Sequence, residues 1–310
     1  MKMKNVLITG ATGFIGRNLL ARLSRVNINI YVLVFPEEME KIPEKENIFP
    51  VMGDLSDISS VEDQLKEISF DTIYHLAWEG VSTTYKNDYN IQIKNIRYAM
   101  NVMELARNHG NGRVIITGSI SEYAYCDSIS QEMVPAPSDF YSASKAAIHI
   151  LCDFYVRLYG TIELNWAIIS SIYGPGRIDN NIVTYTIKTL LEGKDTEYTK
   201  LEQKWDYVYI DDVIEALVLI GERGIPGKMY QIGSGEIRPL SEYVQTIKNC
   251  ISPETELGIG RLPYKTGKID NSVVDIRELV SDTGYCPQTS FECGIDKTIK
   301  YFRETEKSDV

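Results

Sequence analysis

The stretch NVLITGATGFIG, residues 5 to 16, places an apolar run of strand type before three glycines and then an apolar pattern at helical spacing. Val6, Leu7 and Ile8 suit a strand covered on both faces. Phe14, Ile15, Leu19, Leu20 and Leu23 recur at the spacing of one helix face. The expected local order is therefore strand, tight turn, helix. Gly10, Gly13 and Gly16 stand in a GxxGxxG spacing. Such glycines allow a sharp turn and a close approach of main chain to a pyrophosphate resting on the helix N-terminus. Glycines alone mark many turns; the flanking strand and helix are what make dinucleotide binding the reading.

The same alternation continues outward. IYVLVF (30–35), a run at 48–52, TIYHLA (72–77), RVIITGS (113–119) and LNWAII (164–169) read as strands, with helical patterns at about 59–67, 88–109 and from Tyr141 onward. Strands separated by helices imply right-handed βαβ units and a parallel sheet, so the fold class is α/β. Beyond IYGPGR (172–177) the rhythm loosens, although YVYI (207–210) and MYQIG (229–233) still read as strands around a helix. The chain is expected to divide into a nucleotide-binding part, 1–176 and 207–235, and a smaller part, 177–206 and 236–310.

Composition narrows the partners. With 310 residues, 44% of them hydrophobic, there is ample material for a core. A net charge of −11 leaves no general basic field, so nucleic acid is not an expected partner and any phosphate must be held locally. Lysines before the first apolar run resemble an export signal, but the glycines cut that run short and it reads as the first strand. No run of 18 apolar residues would span a membrane, and a cytoplasmic location is expected. Cys126, Cys152, Cys250, Cys286 and Cys293 show no CxxC pairing and read as reduced, structural thiols. His75, His109 and His149 form no HxxxH or HExxH unit, so no metal site is expected.

Several residues suit the cleft beyond the strand ends. An acidic residue for the adenosine ribose is usual at the end of the second strand. Phe35 occupies that place, followed by Pro36, Glu37 and Glu38. No arginine stands there to pair a 2′-phosphate, which leans the expectation from NADP towards NAD; two glutamates in a turn also suit plain solvation. In GDLSD (53–57), Asp54 and Leu55 fit an adenine pocket, although aspartate in a turn is also a routine cap. In HLAW (75–78), Leu76 and Ala77 suit contact with a ribose or ring, while His75 reads as a packed or capping histidine.

Taken in order, TGATGFIG, GDLSD, YHLAW, ITGSISEY, FYSASK and IYGPG resemble the extended short-chain dehydrogenase/reductase family of nucleotide-sugar epimerases, dehydratases and reductases. The resemblance implies a Rossmann-type doubly wound parallel sheet with a smaller C-terminal substrate-binding domain. It implies catalysis by Ser119, Tyr141 and Lys145, and a cofactor held by Gly10, Gly13, Phe14, Ile15, Gly16, Asp54, Leu55, Leu76, Ala77 and Thr117 together with Tyr141 and Lys145. It further implies a homodimer formed through the helices at about 88–109 and 141–159. The chemistry is intelligible from the residues. A free tyrosine, with a pKa near ~10, is a sluggish proton carrier at neutral pH. Lys145, four residues on, shares the helix face of Tyr141, and its ammonium favours the phenolate. Tyr141 then exchanges the carbinol proton while hydride passes to or from a nicotinamide, and Ser119 steadies the same oxygen.

The resemblance also ranks the reactions. Family dehydratases carry an acidic pair where this chain has Ile120 and Ser121, and Glu122 comes one place too late. The GSxSEY form is closer to reductases of 4-keto sugars and to some epimerases. Reduction of a nucleotide-4-keto-6-deoxysugar is the first expectation and 4-epimerisation the alternative. Dehydration and a non-catalytic dinucleotide sensor rank below them. The nucleotide sugar is expected at Trp78, Ser119, Ser121, Asn181, Lys204, Trp205 and Lys265. Trp205, with Lys204 beside it, replaces an arginine that commonly clamps the pyrophosphate, and Lys265 matches a second such arginine. Lysine neutralises a phosphate but lacks the bidentate fork. Trp78 suits either the sugar or the core, and Asn181 either the substrate or a loop. Asp211 and Asp212 precede a helix and read as caps.

Overall fold

The computed structural model describes residues 3–110, 112–124, 126, 129, 134–264 and 272–308. The first part of the chain runs β1 (Asn5–Thr9), α1 (Phe14–Leu23), β2 (Asn29–Val34), β3 (Ile48–Met52), α2 (Ile58–Leu65), β4 (Thr72–His75), α3 (Tyr89–Asn108), β5 (Arg113–Ser119), α4 (Phe140–Tyr159) and β6 (Glu163–Ile169). There follow β7 (Ser171–Tyr173), α5 (Ile182–Leu191), β8 (Lys204–Tyr209), α6 (Ile210–Arg223), β9 (Met229–Ile232), β10 (Ile237–Pro239), α7 (Leu240–Ile251), α8 (Arg277–Thr283) and α9 (Phe291–Ser308). The helix ends have local causes. Asp88 caps α3 by accepting the Asn90 and Ile91 amides. Asp139 and Ser142 cap α4 reciprocally, and Gly160 ends it in the left-handed region at φ 66°.

Seven strands form one parallel sheet in the order β3-β2-β1-β4-β5-β6-β9. Alternate side chains feed two cores, as the two-residue period of a strand requires. Val6, Ile8, Tyr74 and Ile115 pack with α1 and α6, whereas Leu7, Ile73, Val114 and Ile116 pack with α2, α3 and α4. Both faces are thus covered, which explains the nearly continuous apolar runs. The strand order reverses between β1 and β4, and this opens a crevice beyond their carboxyl ends.

A second sheet of three strands has the order β10-β8-β7, with β8 parallel to β7 and antiparallel to β10. The strand read at 207–210 therefore starts earlier, at Lys204, and pairs in this small sheet. The strand beside β6 in the large sheet is β9. Tyrosines fill much of the space beneath. Tyr243 and Phe291 lie 4.6 Å apart and Tyr207 and Tyr243 4.9 Å apart, ring centre to ring centre. The buried hydroxyl of Tyr243 donates to the Trp205 carbonyl at 3.1 Å, so an aromatic core is built without stranding polar groups. Asp212 does not cap α6. Its carboxylate accepts the amides of Gln288 and Thr289 at 2.8 and 3.1 Å, tying a distant segment onto the helix. Among the described residues, no helix is long and apolar enough to cross a membrane.

Candidate active site

The glycine turn lies at the β1/β4 reversal. Gly10 has φ +74°, and a Cβ there would come within 2.5 Å of the Ala77 amide nitrogen at the end of β4. A Cβ on Gly16 would come within 2.0 Å of the Gly10 carbonyl oxygen, so α1 sits directly on the turn. Gly13 is the N-cap of α1 and no side chain caps that helix. The positive end of α1 therefore faces the crevice, together with Phe14 and Ile15. A cleft of about 590 Å³ runs from this turn past Leu76, Thr117 and Ser119 to Trp205. A smaller one, of about 220 Å³, lies behind the turn against Phe35, Glu38, Asp54, Leu55 and Ala77.

Two sequence readings sharpen here. Glu38 sits in a short 3₁₀ helix, Pro36–Lys41, and its carboxylate accepts a hydrogen bond from the Thr12 hydroxyl at 2.8 Å. It is a cleft residue beside the glycine turn. The Lys41 ammonium holds its carboxyl below the usual range, with Thr12 adding to the effect. Asp54 lines the same small cleft while accepting the Ser56 amide at 2.8 Å. His75 is a packed group: its Nδ1 lies 2.8 Å from the Thr9 hydroxyl, and burial pushes its pKa down to about 3.

Tyr141 occupies the first turn of α4, where its amide donates to the Lys86 carbonyl at 2.9 Å. Lys145, one turn on, donates to the Thr117 carbonyl at the end of β5 at 2.6 Å. Its ammonium stands 3.7 Å from the centre of the Trp78 indole, and the Trp78 and Tyr141 rings meet edge to face at 5.5 Å. Trp78 is fixed in turn by donating to Gln92 at 3.0 Å. Burial pushes the Tyr141 phenol up to about 12, against a hydrogen bond with Ser119. Burial likewise pulls Lys145 well below the ordinary lysine range, against the attraction of Glu122. The Ser119 hydroxyl lies 2.8 Å from that of Ser121.

The substrate end is less uniform. Trp205 faces the cleft and its indole N–H donates to the Ser171 hydroxyl at 2.7 Å. Lys204 is exposed and does not line the cleft, since neighbours on a strand point to opposite sides. Asn181 caps α5 by accepting the Val183 and Thr184 amides, and it too lies outside the lining. Lys265 falls outside the described residues. The cleft instead holds cations that the sequence reading did not weigh. Lys86 stands 4.9 Å from the centre of the Tyr141 ring. Arg177 is tied to Asp179 and to the Ile172 carbonyl. Arg177 follows the GPG turn directly, and that position was the available signal.

The family model described as NAD dependent epimerase/dehydratase family matches residues 6–233. Among curated proteins, the chain is 26% identical to dTDP-glucose 4,6-dehydratase of Neisseria meningitidis serogroup B, over 98% of this chain and 94% of that one. Among solved structures, it resembles UDP-glucose 4-epimerase with UDP-glucose from Thermotoga maritima, at TM-score 0.85 and 22% identity, over 97% and 99% of the two chains. It also resembles UDP-glucuronic acid 4-epimerase from Bacillus cereus in complex with UDP-glucuronic acid and NAD, at TM-score 0.84 and 22% identity, again over 97% and 99%. At these identities the structural likeness bears on the fold.

Proposed function

Because the chain belongs to the NAD-dependent epimerase/dehydratase family, we propose that it carries out redox chemistry at C4 of a nucleotide sugar with NAD, and that its reaction is reduction of a 4-keto sugar. The observation that carries this reading is the convergence of Tyr141, Lys145 and Ser119 on the cleft that the glycine turn opens. The residues present fit the cofactor. Gly10 and Gly16 let α1 close onto the turn, and the uncapped N-terminus of α1 at Gly13 would hold a pyrophosphate. The carboxylate of Glu38 beside Thr12 suits a ribose hydroxyl and repels a 2′-phosphate, which supports NAD over NADP. When bound, NAD supplies hydride exchange at its nicotinamide.

The chain's own residues handle the proton. With its proton held up to about pH 12, Tyr141 meets substrate as an acid, the form that protonates a carbonyl oxygen undergoing reduction. Ser119 hydrogen-bonds that oxygen, and Lys145 lends positive charge as the proton leaves Tyr141. Trp78 and Trp205 wall the sugar, and Lys86 supplies positive charge for a diphosphate, while the charge of Arg177 is already met by Asp179. The larger part of the chain, 1–176 and 207–235, holds the cofactor in this reading, and the remainder holds the sugar. Five free thiols suit a reducing cytoplasm.

A second reading, 4-epimerisation, is supported by the 4-epimerases among the curated sequence relatives. It places the same residues on the same carbon with no net redox change. A panel of nucleotide sugars and their 4-keto forms separates the two. Stoichiometric NADH consumption with 4-keto sugars supports reduction, inversion at C4 without consumption supports epimerisation, and silence over the whole panel defeats both.

We further propose a homodimer. Tyr89 and Ile93 of α3 and Phe140, Ile150, Phe154 and Leu158 of α4 are all more than half exposed. An apolar face of this kind on two adjacent helices is suited to a second copy.

A further inference from the structure

Glu122 has no place in the chemistry above, yet it is completely buried behind the site. Its Oε1 accepts the Ser119 amide at 2.6 Å. Its Oε2 and the indole Nε1 of Trp166 make no hydrogen bond of good geometry among the described residues, although the Trp166 indole lies close enough to the carboxyl to favour its ionised form. Both side chains press on Gly118: a Cβ there would come within 2.8 Å of Glu122 Oε1 and 2.3 Å of Trp166 Nε1. The carboxyl thus touches β5 at Gly118 and Ser119, while the Lys145 ammonium holds the carbonyl of the residue before them, Thr117.

A helix cap needs only the bond to Ser119, and an exposed glutamate or glutamine would supply it. Complete burial with a second oxygen unpaired is costly for an ionised carboxylate unless a counter-charge is near. Lys145 is in a similar position, buried with one hydrogen bond to a neutral carbonyl and the face of the Trp78 indole but no ionised partner bonded to it. Burial pushes the Glu122 carboxyl up and the Lys145 ammonium down, and against this each group draws the other back towards its charged form. The other titratable groups facing the pair are quiet at neutral pH. Burial pushes His75 of β4 down to about 3, Tyr141 of α4 up to about 12, and Tyr123 of the same turn upward. His149 of α4, stacked on Trp166 at 4.6 Å, is pushed down to about 4.

We propose that Glu122 is a positioning residue for the proton chemistry: it is the buried counter-charge on which the positive charge of Lys145 depends. One proton is shared between the two groups. It resides on Lys145 as an ammonium facing a Glu122 carboxylate, and loss of either partner neutralises the other. The inference rests on the reading of Tyr141 and Lys145 as the proton-carrying pair.

Infrared difference spectroscopy on the purified full chain tests it without any substrate. At neutral pH the wild type is expected to show Glu122 as a carboxylate. Lys145→Met is expected to gain a protonated-carboxyl band that disappears in the Lys145→Met/Glu122→Gln double variant. A protonated Glu122 in the wild type, or an ionised one in Lys145→Met, overturns the proposal. In turnover, Glu122→Gln keeps an acceptor for the Ser119 amide but removes the charge. It is expected to move the alkaline limb of the kcat/KM profile down by about one pH unit or more, with Glu122→Asp restoring it in part. A Glu122→Gln profile superimposable on the wild type overturns the proposal. If Tyr141→Phe retains full turnover, the functional reading fails, while the protonation state of Glu122 seen by infrared still decides the pairing with Lys145.

Discussion

At the glycine turn, Gly10 and Gly16 are wedged against the main chain of β4 and of their own turn. Apart from Tyr98 of α3, the residues that line the small cleft at that end lie within a few residues of a strand terminus. At the opposite end, Trp205 on β8 reaches Ser171 on β7, and β8 is flanked by β10 from still further along the chain. The first end is a consequence of local backbone geometry. The second depends on which distant segments pair, so its chemistry varies without disturbing the fold. The cofactor half should therefore fail abruptly when altered, and the substrate half by degrees.

The largest effect is expected at the junction of the two halves. Tyr141→Phe removes the proton and should cut turnover by about 10²–10⁴-fold, with NAD affinity by fluorescence titration unchanged. Within the cofactor half, Gly16→Ala should destabilise by about 1–3 kcal/mol in urea unfolding and abolish NAD binding. Gly13→Ala, whose Cβ would meet its nearest neighbour at 3.4 Å, should cost far less stability. Equal losses at the two glycines would break the account of the turn.

Acid probes the buried sheet beneath both halves. Burial holds the pKa of His75 near about 3 and that of His149 near about 4. The unfolded chain binds protons at both sites from about 6.5 downward while the folded chain does not. Stability should therefore be intact above about pH 6.5 and fall as pH drops towards 4, by up to about 1.4 kcal/mol per unit for each histidine. Replacing His149 with Phe, which keeps the ring beside Trp166, should flatten that fall. The smallest effect belongs to the substrate end. Trp205→Phe removes the donor to Ser171 and should cost about 1 kcal/mol, seen as a raised KM for the nucleotide sugar with kcat nearly constant. A mixed result, with kcat falling and KM unchanged, would move Trp205 from the substrate wall to the reacting carbon.

Legibility in the sequence followed the same divide. The parallel strands β1 to β6 lie within a residue or two of the runs that announced them, because all but the edge strand β3 are largely buried on both faces. The small sheet was not legible, since nothing in YVYI indicates whether its neighbour is β6 or β7. Glu38 was ambiguous as a turn glutamate. Its meeting with Thr12 depends on the Pro36–Lys41 turn folding back across the glycine loop. Lys204 read as a phosphate ligand because of its place beside Trp205, yet strand alternation carries it to the other face. Arg177 was overlooked because the expected arginine was sought at 205.

The central claim is that Tyr141 protonates the oxygen of a C4 carbonyl as that carbon is reduced. It is tested most directly by incubating the protein with a 4-keto nucleotide sugar and NADH deuterated at nicotinamide C4, then locating the label by NMR. The account predicts deuterium at sugar C4 with wild-type protein, and the same product formed at least about 10²-fold more slowly with Tyr141→Phe. Label appearing at the wild-type rate with Tyr141→Phe, or at a carbon other than C4, would contradict it.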